Sequence, residues 1–366
     1  MLLTRDISAA AIAAVTVLAS AGTAMAEDLI ISSGLPQTHN WVAHHMDPLI
    51  EEVTSATNGD ITFTPFYGGE LVGIGRALDG LTSGTIDIAA PLLSPYHEGS
   101  FPLSDVTQLP TYGTDSYMVT RAFQALMSSD VELIDGKTFY QYEVGDKNIH
   151  AWALGATPAY SISTSGKAIK SAADFAGLSM RAGSPIHTIV LEKLGATPVT
   201  MPATQAYESI SRGILDGIVL SVSDWPTYSL DQVLSYTITD VAIGHWESYL
   251  AMSDSAWTSL TDEQQATFSA AAQKVTLANS EELERQLQAN AESAAQEHNA
   301  KFESINDLPE ELQAHVANAL TNTWIVWIET TEANGHPARA AAKLYAQLIV
   351  AEGGVLPDGV ADYLEL

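Results

Sequence analysis

Between Leu178 and Leu220 the chain switches repeatedly between two hydrophobic periods. Leu178-Ser179-Met180-Arg181 alternates apolar and polar residues, the period of a strand, and Ala182-Gly183-Ser184-Pro185 breaks it and opens a helix. Ile186, Ile189, Val190 and Leu194 then recur at helical spacing, with Gly195 placed as the stop. Pro198 to Pro202 predicts a short extended run, followed by a second helix carrying Tyr207, Ile210 and Ile214 on one side and ending at Asp216-Gly217. Ile218 to Val222 reads as a buried strand. A strand-helix-strand-helix-strand unit builds a parallel sheet, and ligands of such sheets sit at the carboxyl ends of the strands. Arg181 stands at one such end.

The N-terminal third has the same α/β grammar. Asp28 to Ser32 predicts a first strand, and a helix follows through Val42, Met46, Leu49, Ile50 and Val53 to Thr57-Asn58-Gly59. Ile61 to Phe66 predicts a strand, Gly75 to Ser83 a helix, and Thr85 to Ala90 a strand that opens into Leu93-Ser94-Pro95-Tyr96. Ser116 to Met127 predicts a helix, Phe139 to Val144 and Ile149 to Leu154 strands, the second passing between lobes. Tyr236 to Val241 and Tyr249 to Asp254 read as extended, the latter returning to the first lobe. The longest helical pattern runs from Thr261 to about Phe302 without Gly or Pro, and helices over Pro309 to about Glu332 and Pro337 to about Ala351 complete the chain.

At 366 residues the chain exceeds one ordinary core and implies two domains. Its formal net charge of -29 argues against nucleic acid and anionic membrane surfaces as partners. Ile7 to Gly22 is an apolar run ending before Ala24-Met25-Ala26, so residues 1–26 read as a signal peptide cleaved after Ala26, and the mature protein is expected to be exported to the periplasm. With no Cys, neither disulfides nor thiol catalysis are available.

In order and spacing, several segments together resemble one family: Thr57-Asn58-Gly59; Gly68-Gly69-Glu70-Leu71 with Arg76; Gly84-Thr85-Ile86-Asp87; Gly177-Leu178-Ser179-Met180-Arg181; Leu194-Gly195-Ala196-Thr197-Pro198-Val199; Met201-Pro202; Tyr207; and Gly213-Ile214-Leu215-Asp216-Gly217. The mature chain resembles the periplasmic solute-binding proteins of tripartite ATP-independent periplasmic (TRAP) transporters, the DctP-like family. That resemblance implies a periplasmic-binding-protein-like fold of two α/β lobes with a hinge and a long helix bracing both. Residues 27–150 plus about 235–275 are expected in lobe I, and 151–234 plus about 276–366 in lobe II. It further implies that Arg181 holds a substrate carboxylate in a bidentate salt bridge and that closure around a small organic anion is read by TRAP membrane subunits; some relatives hold calcium with the substrate, but the sequence points to no site, and no cofactor is expected. A guanidinium fork suits a planar carboxylate, in agreement.

Two departures from the family pattern shape the expected ligand. Gly155-Ala156-Thr157-Pro158 stands where many members carry a second arginine, and Val219 to Trp225 replaces their Gln-Glu-Asn-Pro. A monocarboxylate with an aromatic, branched or 2-oxo body is therefore expected rather than a dicarboxylate, with Trp225 as an apolar wall. Asn40 and Trp41 after the first strand, Ser94 and Tyr96 after the third, Trp152 on the lobe-crossing strand, and Ser223 and Asp224 beside Trp225 complete the candidate site. Asp224 next to an anion requires a cation or a proton. Arg76 opens a helix and reads as structural. His44 and His45 are adjacent rather than four apart, so no metal site is expected from them with His39. Gly73-Ile74-Gly75 lacks a dinucleotide fingerprint, and no catalytic motif is present. An exported hydrolase or lyase with Asp224 or a histidine as base, or a sensory binding protein, are the alternatives.

Overall fold

The computed structural model describes residues 27–366, so the expected signal peptide over 1–26 lies outside the described residues. From Glu27 the chain runs β1 (Glu27–Ser32), a π-helical turn at Val42–Met46 continuing into α1 (Asp47–Ala56), β2 (Ile61–Phe66), α2 (Ala77–Thr82), β3 (Ile88–Leu92), α3 (Ser116–Met127), a small hairpin of β4 (Glu132–Ile134) and β5 (Lys137–Thr138), α4 (Phe139–Glu143) and β6 (Ile149–Ala153). Next come β7 (Ser161–Thr164), β8 (Ser179–Ala182), α5 (Pro185–Leu194), β9 (Thr197–Thr200), α6 (Ala206–Ser211), β10 (Gly217–Leu220), α7 (Trp225–Tyr228), β11 (Tyr236–Thr239), β12 (Tyr249–Ser253) and α8 (Asp254–Ser259). The chain closes with α9 (Asp262–His298), β13 (Lys301–Ser304), α10 (Glu310–Ala333), α11 (Ala338–Ala351) and α12 (Val360–Leu364).

Two sheets define two lobes. The first has strand order β2-β1-β3-β12-β6, and the second β13-β11-β7-β10-β8-β9. β8, β9 and β10 are mutually parallel, as their crossover helices require, whereas β7 enters antiparallel to β10 and β11. β12 returns to the first sheet between β3 and β6. β11, expected with the first lobe, instead pairs with β7 and β13 in the second.

The local chemistry explains both agreements and departures. α5 begins where Ser184 accepts from His187 N and Pro185 fixes the first turn, and it stops at Gly195 in the left-handed region (φ 92°). The expected strand over Phe139 to Val144 is instead the helical α4. Thr138 and Gln141 form a reciprocal capping box whose two bonds outweigh the β propensity of the aromatic run. β3 starts three residues later than expected, because Thr85 donates to Gly80 O and the Asp87 carboxylate accepts from Ile30 N. α6 ends before Gly213, leaving Ile214 59% exposed rather than on a buried helix face. The long helix ends at His298, where Asn299 turns left-handed (φ 56°) and releases β13.

Among the described residues four connections join the lobes. Residues 154–160 and 244–248 cross side by side, tied by Leu154 N to Ser248 O (3.0 Å), Thr157 N to Trp246 O (2.9 Å) and Tyr160 N to Gly244 O (3.0 Å). α9 packs on α1, α3 and β6 of the first lobe and on the Val222–Asp224 turn and β13 of the second, bracing both. α10 lies on α5 of the second lobe and α11 on α3 of the first. Among the described residues no helix is long and apolar enough to cross a membrane.

Candidate functional site

Strand ends from both lobes meet around a cavity of about 140 Å³. The first lobe supplies Gly34, Leu35, His39 and Trp41 after β1, Ile74, and Leu93 and Tyr96 after β3. The second supplies Arg181 from β8, Pro202 to Thr204 after β9, and Leu220, Asp224 and Tyr228 around and after β10. Tyr160 and Trp246 enter from the two crossing segments. This is the placement that parallel α/β sheets favour for ligands.

Arg181 is the cation of the cavity. On β8 it lies between Val199 of β9 and Ile218 of β10, so its backbone is fixed from both sides, and it is only 2% exposed. Nε donates to Met201 O (2.9 Å) and Nη1 to Val219 O (3.2 Å), which aims the planar fork while leaving further N–H donors unused. Among the described residues no carboxylate stands within ion-pair distance of it. Burying a guanidinium among neutral oxygens, the two carbonyls and the Tyr96 hydroxyl, leaves its charge uncompensated, and an anionic partner is the ordinary remedy. Gly183 makes the geometry possible: a Cβ there would lie 2.7 Å from Nη2 and 2.8 Å from Nη1 and Cζ of Arg181.

Asp224 faces the same cavity. Its Oδ1 accepts from Asn40 Nδ2 at 3.5 Å, and burial pushes its carboxyl up to about 7, against the opposing pull of Asn40 and Arg181. Asn40 Nδ2 also donates to Ser223 O (3.3 Å), so one first-lobe amide bridges to the second lobe beside the cavity. Trp41 Nε1 donates to Gly155 O (2.8 Å), locking the indole against a crossing segment. His39 accepts from Trp41 N through Nδ1, and burial lowers its pKa to about 3, so it is neutral at physiological pH.

Aromatic rings form most of the wall. His39 lies 5.4 Å from Trp41 and 6.0 Å from Tyr228, while Trp246 lies 6.0 Å from Tyr96 and 6.2 Å from Tyr160. Burial raises the Tyr96, Tyr160 and Tyr228 phenols above their ordinary value, with Arg181 opposing in each case, so all three remain protonated donors at neutral pH. Flat apolar faces with polar edges suit a planar, partly polar ligand.

Of the residues singled out from sequence, Arg181, Trp41, Tyr96 and Asp224 line the cavity, and Asn40 supports it. Four do not. Ser94 is buried and tied to Ser248, whose Oγ accepts from Ser94 N at 2.8 Å. Ser223 acts through its carbonyl, which accepts from Asn40 and from Asn290 of α9 (2.9 Å), and its hydroxyl pairs with Ser221 (2.9 Å). Trp152 packs on Phe268 and Trp257 and donates to Ser269 (3.2 Å), away from the cavity. Trp225 is fully buried against Phe302 of β13, so the expected apolar wall is made by other rings. Arg76 pairs at the surface with Asp79 (2.8 Å). His45 bonds Thr276 and His44 bonds Gln286, and among the described residues no three His, Cys, Asp or Glu are grouped to hold a metal.

A family model for bacterial extracellular solute-binding proteins, family 7, matches residues 31–329. A solute-binding protein of Roseobacter denitrificans is 25% identical over 271 residues, 72% of this chain and 78% of its own length. A monocarboxylate 2-oxoacid-binding periplasmic protein of Nostoc sp. is 27% identical over 171 residues, 46% of this chain and 44% of its own. Among solved structures, a marine-metagenome TRAP solute-binding protein specific for aromatic acid ligands, in complex with metahydroxyphenylacetate, superposes with a TM-score of 0.79 at 21% identity, covering 89% of this chain and 99% of that one. A TRAP solute-binding protein from Rhodoferax ferrireducens with copurified benzoate gives 0.75 at 20% identity over 89% and 98%.

Proposed function

The chain belongs to family 7 of the bacterial extracellular solute-binding proteins, the receptors of TRAP transporters, and from that premise we propose that it captures a small aromatic or 2-oxo monocarboxylate between its lobes. The observation that carries this reading is the buried, aimed Arg181 guanidinium with no carboxylate within ion-pair distance among the described residues, in a cavity walled by aromatic rings. The ligand carboxylate supplies the missing charge, and the rings of Trp41, Tyr96, Tyr160, Tyr228 and Trp246 take its flat body. The relatives that bind 2-oxo acids and aromatic acids support the same chemistry.

Capture works by differential contact with two lobes. Open lobes leave Arg181 and the first-lobe residues Trp41 and Tyr96 apart, and a ligand touching both sides stabilises the closed arrangement. The leader over 1–26, cleaved after Ala26, delivers the receptor to the periplasm, and membrane subunits of the transporter receive the ligand.

A thermal-shift screen of benzoate, 3-hydroxybenzoate, mandelate, 2-oxo acids and succinate, followed by calorimetry on Arg181→Ala, tests this. Aromatic or 2-oxo monocarboxylates raise Tm and succinate does not. Arg181→Ala loses about 2 to 5 kcal/mol, tens to thousands of fold in Kd. An unchanged Kd in that variant refutes the anchor.

A further inference from the structure

The carboxylate reading leaves a charge problem in the cavity, because Asp224 faces the space that the ligand anion must share. Arg181 is the positive group there. Two carboxylates against one guanidinium would leave a net negative charge in a small, buried space, which is far costlier than a neutral set. We propose that Asp224 enters the liganded complex carrying a proton, which it donates in a hydrogen bond to the ligand, so that the site balances one ligand carboxylate against Arg181 and rejects a second negative charge. The proposal rests on the carboxylate reading above and assigns Asp224 as the residue that selects monoanions.

The surroundings of Asp224 support it. Asn40 from the β1 loop gives Oδ1 one neutral donor at 3.5 Å, and no cation stands within ion-pair distance of this carboxyl among the described residues. Arg181 from β8 acts on it only at longer range. The other titratable groups around it are Tyr160 from the crossing segment, Tyr228 from α7, Tyr96 after β3 and His39 after β1, all neutral at physiological pH. α9, packed against the Val222–Asp224 turn, presents the neutral Asn290 there. Burial already brings the carboxyl to about 7 in the free protein, and a ligand anion beside it pushes the value up further. Above that pH the free carboxylate takes one proton from solvent as the ligand enters.

The test is calorimetry with benzoate at pH 8 in phosphate and in Tris, whose ionisation enthalpies differ. Wild type takes up about 0.9 proton per benzoate, the ionised fraction of a group titrating near 7, and its affinity falls about tenfold per pH unit above 7. Asp224→Asn shows no uptake and no such slope. Wild-type uptake near zero, or equal uptake in the variant, overturns the proposal. If benzoate binds neither protein, the aromatic reading fails, and ligand-free melting curves from pH 5 to 8.5 decide the Asp224 question. Wild-type Tm then falls relative to Asp224→Asn as pH rises, whereas parallel curves overturn the assignment.

Discussion

Replacing Gly183 by Ala separates binding from folding more cleanly than removing the arginine does. The added Cβ would meet Arg181 Nη2 at 2.7 Å and Nη1 and Cζ at 2.8 Å, about 0.7 Å inside ordinary contact. What it meets is the end of a long side chain, so the fold yields there cheaply, and Gly183 has no left-handed backbone to strain. The guanidinium must move, yet its aim depends on Met201 O at 2.9 Å and Val219 O at 3.2 Å. A displacement of that size removes one of two charge-assisted bonds to the ligand, about 1.5 to 3 kcal/mol, or roughly ten- to 150-fold in Kd. Calorimetry with the best ligand of the screen measures it, beside a melting curve that stays within a few degrees of wild type. Gly217→Ala is the contrast, since its Cβ would lie 2.2 Å from the Ser163 backbone carbonyl inside the second sheet, and that variant fails to fold. A Gly183→Ala protein that binds within twofold of wild type refutes the role given to the guanidinium's position.

Asn40→Ala removes the amide that reaches Ser223 O and Asp224 across the lobes, so Kd weakens about five- to thirtyfold, the worth of one to two buried hydrogen bonds. Small-angle scattering should show its liganded form more open than wild type, and identical profiles count against the bridge. Glu247, on a crossing segment, is buried with both carboxylate oxygens unpartnered among the described residues, and burial raises its pKa well above the ordinary value. The folded protein therefore holds that proton more tightly than the unfolded chain, and stability is lost as pH rises from the unfolded value toward the folded one. Glu247→Gln should melt above wild type by about 2 °C or more at pH 8 and equal it near pH 4; equal curves at both pH values remove the argument.

How much of this was legible in the sequence depended on the kind of signal. Arg181 was, because a charged residue closing an apolar strand is conspicuous against forty-four acidic residues and only fifteen Lys and Arg. Trp41 and Tyr96 were, because strand ends of an α/β lobe face its ligand. Trp152 and Trp225 were not, since proximity in sequence does not say which way an indole turns. His150 and Trp152 share one face of β6, and the period of two turns that face toward Trp257 and Phe268 rather than the cavity. Trp225 opens the four-residue α7, where a small rotation sends its ring to Phe302 of a strand seventy-odd residues on. Tyr160 and Trp246 sit on crossing segments without periodicity, and only the long-range pairing of 154–160 with 244–248 brings them together. A tryptophan in Gly244-His245-Trp246, between two strands of different sheets, was the one available hint.

An anion receptor with a net charge of -29 is physically consistent because its acidity and its site act over different distances. Surface carboxylates are screened within about 8 Å at physiological ionic strength, while buried charges are screened much less. Other cations stand in exposed pairs, such as Arg212 with Glu208, Arg285 with Glu282 and Lys274 with Glu52, each close to neutral in its effect on stability. Arg181 is the one Lys or Arg among the described cavity residues and is buried, where the same charge is worth several times more than at the surface. What decides binding is therefore the local sum over Arg181, Asp224 and the ligand, and the fold achieves it by spending neutral donors, Asn40 and the three tyrosines, where another acidic or basic side chain would have upset the balance.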